Sequence, residues 1–386
     1  MTTKLTFRFV DAIEQINATE WNTLAGIDYP FTRHEFLSSL EQTGCLSSAT
    51  GWQPVHLIAS CETQLVAAMP LYLKAHSRGE YVFDQAWARA YQQHGFAYYP
   101  KLVTAIPFTP CQGPRILIEA SADKKSVIAG LLNEIKAFAE QHQLSSWHCL
   151  FPNPTQLSVL QDASLLIRED VQFQWLNQNY RDFDDFLANL TSVKRKMVKR
   201  ERRKLAEQGI ELFQLRGDEL TEQQWQIFFQ FYALTYLKKA SNPYLNLKCF
   251  QTFANTLGAQ MLVIFAKKNA DYVGAALSFI GHDTLYGRYW GCYEEYNALH
   301  FEACYYQGIE YCIQHKLTRF DSGAQGEHKI ARGFTPITTY STHWLRDSIF
   351  HAAINDFLTR EKLAVNAYKN DAAHYLPYKN KRETPH

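Results

Sequence analysis

One short segment, FDSGAQGEHKIARGF, places glycines among acidic, basic and imidazole side chains. Such side chains transfer protons and bind anions, and glycine lets the backbone approach a ligand closely. Phe320 and Phe334 bracket the segment, whereas a plain surface turn needs one or two glycines and no aromatic bracket. We therefore predict a functional loop, with a solvated turn between two strands as the alternative. Its candidate functional residues are Asp321, Gln325, Glu327, His328, Lys329 and Arg332.

A second polar pair, His300 and Glu302, opens a predicted helix in the run HFEAC. A His-x-Glu spacing also occurs in zinc deaminases, but the P-C-x-x-C half of that signature is absent from this sequence. We therefore predict no metal site here. The alternative to a functional role is helix capping, with favourable charge at the positive end of the helix dipole.

The aromatic run YGRYW is predicted to be a strand that directly precedes this helix. Strand alternation places Tyr286, Arg288 and Trp290 on one face and Gly287 and Tyr289 on the other. An arginine in an aromatic strand pairs with a carboxylate, stacks on a ring or binds a ligand. The position beside the helix and the loop favours ligand binding for Arg288.

Between the two halves of the chain lies a strongly basic segment, in which Met197, Val198 and Glu201 are the only non-basic residues from 194 to 204. Apolar residues at helical spacing predict an amphipathic helix with a cationic outer face. That face could bind phosphate groups of a nucleotide-linked ligand or RNA, or it could simply be solvated. A membrane-surface role is less favoured because the stripe is narrow and has no Trp or Phe. The apolar residues are Leu190, Val193, Met197 and Leu205; the phosphate-binding candidates are Lys199, Arg200, Arg202 and Arg203.

Composition narrows the classes of protein. The 386 residues carry a formal net charge of +1, so any electrostatic partner must bind a local patch. The eight cysteines show no C-x-x-C spacing, and no apolar run reaches the ~20 residues of a membrane span. Neither a G-x-x-x-x-G-K-[ST] phosphate loop nor a G-x-S-x-G elbow is present. With no signal-peptide pattern at the start, we expect a cytoplasmic protein without a membrane span.

The elements that position these residues form a duplicated order. Helix, hairpin, strand, helix and strand patterns occur in each half, with capping boxes predicted at Thr32/Glu35 and at Thr221/Gln224. In the first half, WQPVHLIAS and QLVAAMPLYL are predicted as two strands around a turn, SADKKSVIAGLLNEIKAFAEQHQL as a helix and SSWHCLF as a strand; in the second half, MLVIFAKKNADYVGAALSFI is predicted as a hairpin. The run EYVFD is also predicted as a strand. We expect an α/β (α+β) protein with two similarly folded domains, each a mixed, mainly antiparallel sheet flanked by helices. The predicted boundaries are 1–177 for the first domain, 178–209 for the basic connecting helix, 210–367 for the second domain and 368–386 for a polar tail.

Two long runs, Gly79–Leu117 and Tyr286–Phe334, resemble the bacterial FemAB-like proteins, a peptidoglycan biosynthesis or recognition family of predicted N-acyltransferases. The resemblance covers most of the chain. It implies two tandem acetyltransferase-like (GNAT) domains and a distant relation to Fem peptidyltransferases, which move an aminoacyl group from a charged tRNA onto an amine of a peptidoglycan precursor. Lys329 in HKIARGF matches the lysine of their F-K-x-x-F-G-type motif. The sequence departs from the family at Thr335, where a glycine is usual, and in having only the basic segment in place of a helical arm.

The resemblance implies a transferase of an acyl or aminoacyl group onto an amine. Lys329 would face the oxyanion or the leaving group, and Glu327, Asp321 or Glu302 would accept the amine proton. The acetyltransferase loop Q/R-x-x-G-x-G/A is missing, so acyl-CoA and aminoacyl-tRNA are equally open as co-substrates, and no permanently bound cofactor is expected. The alternative is a non-catalytic module that recognises a muropeptide or a nucleotide-linked ligand. The expected substrate-binding residues are Arg332, His328, Gln325, His300, Arg288, Tyr289, Lys199 and Arg200.

Overall fold

The computed structural model describes residues 5–324 and 326–379. The chain divides into two compact units: unit 1 comprises Met1–Asp170 and Thr339–Asn366, and unit 2 comprises Val171–Thr338 and Ala367–His386. In the described part of the chain, no helix is both long enough and apolar enough to cross a membrane.

Unit 1 is a mixed α/β structure in which short strands alternate with helices. Its strands are β1 (Leu5–Val10), β2 (Trp52–Pro54), β3 (His56–Cys61), β4 (Gln64–Met69), β5 (Tyr72–Lys74), β6 (Lys101–Thr104), β7 (Leu117–Ile118), β8 (Ser146–Leu150) and the start of β9 (Leu166–Leu176). Its helices are α1 (Ala18–Ala25), α2 (His34–Gln42), α3 (Gln85–Gln93), α4 (Lys124–Gln141) and α5 (Pro154–Asp162).

The strands of unit 1 form antiparallel ladders with one parallel pair. One sheet has the order β1-β3-β4-β7, and a second ladder runs through β8, β6, β5 and β2. β6 and β8 pair in parallel, as strands joined through a helix such as α4 do. Apolar residues of α4, including Leu131 and Ile135, pack on Leu57 and Trp147 of the strands. The predicted hairpin β3–β4, helix α4 and strand β8 are confirmed.

Two local predictions in unit 1 are wrong. The run EYVFD forms no strand, because Glu80 and Asp84 turn inward to accept hydrogen bonds from the buried ammonium of Lys101. The capping box at Thr32 is also not formed. Thr32 lies in a 3₁₀ turn that ends one residue before the N-cap of α2, and its hydroxyl bonds the Tyr29 carbonyl.

Unit 2 holds the residues with predicted chemistry. Its strands are the end of β9, β10 (Ile210–Arg216), β11 (Met261–Lys268), β12 (Asp271–Ile280), β13 (Thr284–Cys292), β14 (Arg319–Asp321) and the start of β15 (Phe334–Leu345). Its helices are α6 (Phe183–Asn189), α7 (Ser192–Glu207), α8 (Glu222–Leu237), α9 (Leu247–Leu257), α10 (Leu299–Phe301) and α11 (Gln307–Gln314), and α12 (Ser348–His374) ends in this unit. A π-helical turn, Glu302–Tyr306, joins α10 to α11, and a 3₁₀ helix spans Glu327–Arg332.

The sheet of unit 2 has the order β10-β11-β12-β13-β14-β9. All neighbours are antiparallel except β13 and β14, which pair in parallel over only three positions, from Thr284↔Arg319 to Tyr286↔Asp321. After this pairing β13 continues to Cys292, whereas β14 ends at Asp321. The sheet is therefore open beside the second half of β13. The predicted capping box of α8 is confirmed, with Thr221 and Gln224 bonding each other's backbone.

Helix α7 confirms the predicted basic helix, although its buried face differs from the expected one. Val193 is exposed, whereas Val198 and Leu205 are buried. Spacing of about seven residues keeps Val198 and Leu205 on one side of the helix, with Glu201 and Arg202 between them on that side. The apolar stripe is thus rotated away from Val193.

The division into units differs from the predicted boundaries. Unit 2 begins at Val171 rather than at residue 178, and α7 lies within it. Helix α12 continues to His374, and Tyr378 bridges to Leu190, so residues 368–379 of the predicted polar tail are partly helical and partly packed. The rest of that segment, 380–386, lies outside the described residues. Whether the two units are autonomous domains stays a prediction.

Candidate active site

Lys329 lies in the 3₁₀ helix that follows β14, and its side chain is almost completely buried, with 2% exposed. Its Nζ donates hydrogen bonds to the backbone carbonyls of Gly323, at 2.7 Å, and Ser322, at 3.2 Å. Both carbonyls belong to the turn just after β14. The end of the strand therefore fixes the position of this amino group.

The segment that carries Lys329 is anchored as the sequence indicates. The rings of Phe320 and Phe334 are buried, with centroids 5.5 Å apart. Gly323 has a φ of +81°, a backbone conformation that L side chains rarely adopt. The glycine at this position permits the tight turn that brings its own carbonyl to Lys329.

Arg288 is the extra residue of a β-bulge in β13. Leu277 of β12 pairs with Tyr289 and Ser278 pairs with Gly287, so Arg288 is the additional residue of β13 between these two pairs. A bulge redirects a side chain and interrupts strand alternation. The predicted common face of Arg288 and Trp290 is therefore wrong.

Side-chain contacts around the bulge agree with this interruption. Arg288 lies over the ring of Tyr289, with the guanidinium carbon 5.7 Å from the centroid, and Tyr289 packs on Tyr232. Trp290 packs instead on His300.

Two histidines lie together near Lys329. The rings of His300 and His328 have centroids 5.9 Å apart, and the Nε2 atom of His328 is 2.8 Å from the Tyr305 hydroxyl. Burial, reinforced by the positive charges of His328, Arg332 and Lys329, lowers the pKa of His300 to about 4. The His300 imidazole is therefore neutral near pH 7 and has a nitrogen lone pair to offer.

These side chains line a cavity of about 550 Å³ in unit 2. Its wall comes from β12, the second half of β13, the α10–π-helix segment, the turn after β14 with the 3₁₀ helix that follows it, and the end of α8. Among the described residues, the lining includes Lys239, Arg288, Lys329, His300 and His328 but no carboxylate. The apolar and aromatic part of the lining includes Ala276, Leu277, Tyr289, Trp290, Cys304 and Tyr305.

The three carboxylates predicted as bases are absent from the described lining of this cavity. Glu302 is buried, pairs with Arg202 at 2.9 Å and accepts a hydrogen bond from Gln307. Glu327 is exposed and accepts a hydrogen bond from the Tyr368 hydroxyl.

Asp321 is buried directly behind the turn. It accepts hydrogen bonds from the Gly323 N–H at 2.9 Å and from the Gln174 amide at 3.1 Å. Burial raises the pKa of Asp321, against the opposing effects of the Gly323 N–H, Arg288 and Lys329. A carboxylate role as base stays a prediction for all three residues.

Arg332 forms hydrogen bonds with other residues of unit 2 and does not line the cavity. Its guanidinium donates to Glu201 at 2.7 Å, to the Tyr306 hydroxyl at 3.0 Å and to the His328 carbonyl at 2.8 Å. The guanidinium carbon also lies 3.3 Å from the centroid of the Phe301 ring. These contacts use all three guanidinium nitrogens, so the structure gives no support for ligand binding by Arg332.

Arg202 also differs from the expected orientation on α7. It points inward, pairs with Glu302 and Glu310 and lies over the Phe183 ring. Lys199 and Arg200 are exposed on the outer face, where Lys199 pairs with Asp184 at 3.3 Å. This outer face borders a shallow cavity of about 640 Å³ together with Val193, Lys194, Lys196, Met197 and Arg203. The remaining candidate, Gln325, lies outside the described residues.

Sequence reasoning missed several lining residues. Ser322 lies inside the segment singled out from the sequence, directly after the strand, and its position there was a usable signal. Lys239, Cys304 and Tyr305 had no comparable signal. Lys239 is distant along the chain, and the π-helical turn that carries Cys304 and Tyr305 is not visible in an apolar pattern.

Comparison with protein families gives a match over residues 12–380 to the FemAB-like family, described as peptidoglycan biosynthesis/recognition. The predicted resemblance is therefore confirmed. Comparison with the curated proteins gave no significant match.

Solved structures share the fold at low sequence identity. FemX aligns with a TM-score of 0.53 and 10% identity, covering 88% of this chain and 98% of FemX. The C-terminal domain (DUF2156) of a protein described as a lysylphosphatidylglycerol synthetase from Agrobacterium fabrum aligns with a TM-score of 0.54 and 7% identity, covering 88% of this chain and 95% of that one. A tandem GNAT protein from the clavulanic acid biosynthesis pathway gives a TM-score of 0.44 and 10% identity over 89% of this chain and 98% of its own. The predicted fold class, α/β with mixed sheets flanked by helices, is confirmed, and FemX shares this fold. The division into two tandem GNAT-like domains stays a prediction.

Proposed function

This chain belongs to the FemAB-like family, and on that premise we propose that it is a transferase that moves an acyl or aminoacyl group onto an amine. The observation that carries the proposal is the position of Lys329. Its amino group is held by two carbonyls at the wall of a cavity beside the bulged strand β13. A buried cation held in place stabilises developing negative charge far better than one in water.

The reaction combines attack by the amine, stabilisation of an oxyanion and departure of the leaving group. The neutral amine nitrogen of the acceptor attacks the acyl carbonyl carbon, a C–N bond forms, and the carbonyl oxygen becomes negative. Lys329 stabilises that oxyanion. When the carbonyl re-forms, the bond to the leaving group breaks. CoA leaves as the thiolate, whereas the ribose oxygen of a tRNA leaves with the proton that the amine has released.

The proton released by the amine requires an acceptor. Asp321, Glu302 and Glu327 were expected from the sequence, and the neutral imidazole of His300 is a further candidate because it lines the cavity. Nearby cations help as well, since they favour the neutral form of an acceptor amine over its ammonium form. The cavity thus supports amine attack through its charge.

The co-substrates remain those expected from the sequence. Acyl-CoA and aminoacyl-tRNA both carry phosphates, and the exposed Lys199 and Arg200 on the outer face of α7 are our candidates for binding them. The acceptor is a small-molecule or nucleotide-linked amine used in cell-envelope biosynthesis. We place the reaction in the cytoplasm because both donors are cytoplasmic compounds.

The proposal is tested by incubating the purified protein with acyl-CoAs or charged tRNAs and amine acceptors that include muropeptides, followed by mass spectrometry. Transfer by the native protein and its loss in Lys329→Met would support the proposal. The matched control is Lys248→Met, because Lys248 is an exposed lysine of α9. Tight binding of a muropeptide or nucleotide-linked ligand without transfer from either donor would establish the alternative, a non-catalytic binding module.

A further inference from the structure

The cavity beside Lys329 has a charge pattern that goes beyond general amine transfer. Its described lining carries three cationic side chains, Lys239, Arg288 and Lys329, and no carboxylate. Asp321, behind the turn, supplies one nearby carboxylate, which is itself buried. The field in the cavity is therefore positive, and low-dielectric walls concentrate such a field on whatever enters.

Two of these cations converge on a single residue, Gly323. The Lys329 Nζ lies 2.7 Å from the Gly323 carbonyl oxygen. The Arg288 Nη1 would lie 3.5 Å from a Cβ atom at Gly323. Because the bulge in β13 redirects Arg288 toward this turn, both positive groups face the same part of the cavity.

A hydroxyl group in the same wall also points to a polar ligand. The Oγ atom of Ser322 is buried and has no hydrogen-bond partner among the described residues. A buried hydroxyl without a partner costs free energy, and an anion can accept its hydrogen bond. Ser322 lies in the turn whose carbonyls hold Lys329.

On the basis of the proposed function, we infer that the ligand in this cavity carries an anionic group, a carboxylate or a phosphate, close to its reacting carbon. Arg288 binds this anion through its planar fork of donors, which matches both groups, and Ser322 and Lys239 complete the site. Lys329 remains for the oxyanion. The same field disfavours ligands that present an ammonium group at this position.

The inference is tested by binding alone, without turnover, on the full-length protein. Isothermal titration and ligand-observed NMR at low salt would compare four probes of similar size. Succinate and glycerol 3-phosphate separate the carboxylate from the phosphate source, succinamide is the neutral control, and 1,4-diaminobutane is the cationic one. We expect one or both anions to bind and the neutral and cationic probes not to bind.

Variants locate the binding. Arg288→Gln is expected to weaken anion binding about tenfold or more, and Arg288→Lys less, because lysine keeps the charge but loses the fork. Lys239→Gln should also weaken anion binding. Because Lys239 is exposed, this variant is expected to fold normally. Arg360→Gln removes an equal charge from an exposed helical site in unit 1 and should leave binding unchanged.

Each outcome decides the inference separately from the proposed function. Anion binding that Lys239→Gln and Arg288→Gln leave intact is binding elsewhere on the surface, and it overturns the inference. Binding of diaminobutane in preference to either anion overturns it as well. Transfer activity without anion binding removes only this inference, whereas anion binding at Arg288 in a protein that transfers nothing removes only the proposed reaction.

Discussion

The carboxylate of Glu201 on α7 lies 2.7 Å from the guanidinium of Arg332, three residues beyond Lys329 in the same 3₁₀ helix. Both side chains are largely buried, with 14% and 5% exposed. Arg202, the next residue of α7, pairs with Glu302 at the start of the π-helical turn. The inner face of the basic helix therefore holds two elements of the candidate site in place.

We predict that the pair Glu201–Arg332 contributes substantially to stability. Arg332→Gln leaves the Glu201 carboxylate partly buried without its partner, and breaking a buried pair costs about 3 kcal/mol or more. Urea unfolding of Arg332→Gln, Glu201→Gln and the double variant would measure the coupling. The exposed pair Arg360–Asp356 is the control, for which the loss should stay within about 1 kcal/mol. Strictly additive single losses would show that the two residues do not act together.

The second prediction concerns Lys329. Lys329→Met and Lys329→Arg should each lower turnover by about 10²-fold or more, which corresponds to ~2.7 kcal/mol of transition-state stabilisation. Arginine fails because its longer, planar head group cannot occupy the place between the Ser322 and Gly323 carbonyls. Steady-state kinetics would give the loss, and circular dichroism would show whether the variants are folded. Full activity in Lys329→Met would remove the catalytic assignment, and an unfolded protein in both variants would make the residue structural.

The third prediction compares basic residues on the outer and inner faces of α7. Arg200→Glu and Lys199→Glu on the outer face should weaken binding of tRNA or acyl-CoA and flatten its salt dependence. Their stability should change by only about 0–1 kcal/mol, because both side chains are exposed. Arg202→Gln should instead lower stability, because Arg202 pairs with Glu302 and Glu310. Unchanged affinity in the outer-face variants at low salt would mean that this face is merely solvated.

The fourth prediction is a pH dependence of stability that originates in His300. Its pKa is lowered to about 4 in the folded protein, from an ordinary value of 6.5. The unfolded chain therefore binds more protons than the folded one between these values, and stability is lost as pH falls from 6.5 toward 4. The contribution of His300 to the slope of the unfolding free energy against pH is at most about 1.4 kcal/mol per pH unit.

Comparison of the native protein with His300→Gln isolates this effect, because other buried histidines such as His148 and His343 contribute equally to both. Denaturant unfolding would be measured at several pH values from 4 to 7. As pH falls, the free energy of unfolding of the native protein should decrease more than that of His300→Gln. A constant difference across this range would contradict the prediction.

Local sequence patterns were sufficient for the elements whose signals are short-range. The capping box of α8, the hairpin of β11 and β12 and the helix α4 formed where the sequence predicted them, because caps, turns and helical periodicity act within a few residues. The segment around Lys329 was also recognisable, since its glycines and its aromatic bracket lie close together in the chain.

Only the tertiary structure decided which charged residues face a ligand. Arg332, Arg202 and Glu302 are charged residues of the kind that bind ligands. In the structure, however, Arg332 pairs with Glu201, 131 positions away in sequence, and Arg202 pairs with Glu302, 100 positions away. A sequence pattern carries no record of such partners, and a buried charge must find one. Arg288 faces the cavity because of a one-residue bulge, which alternation does not foresee. The sequence by itself determined the elements and the types of side chain available, and the long-range packing of charges determined which of them remain at the cavity wall.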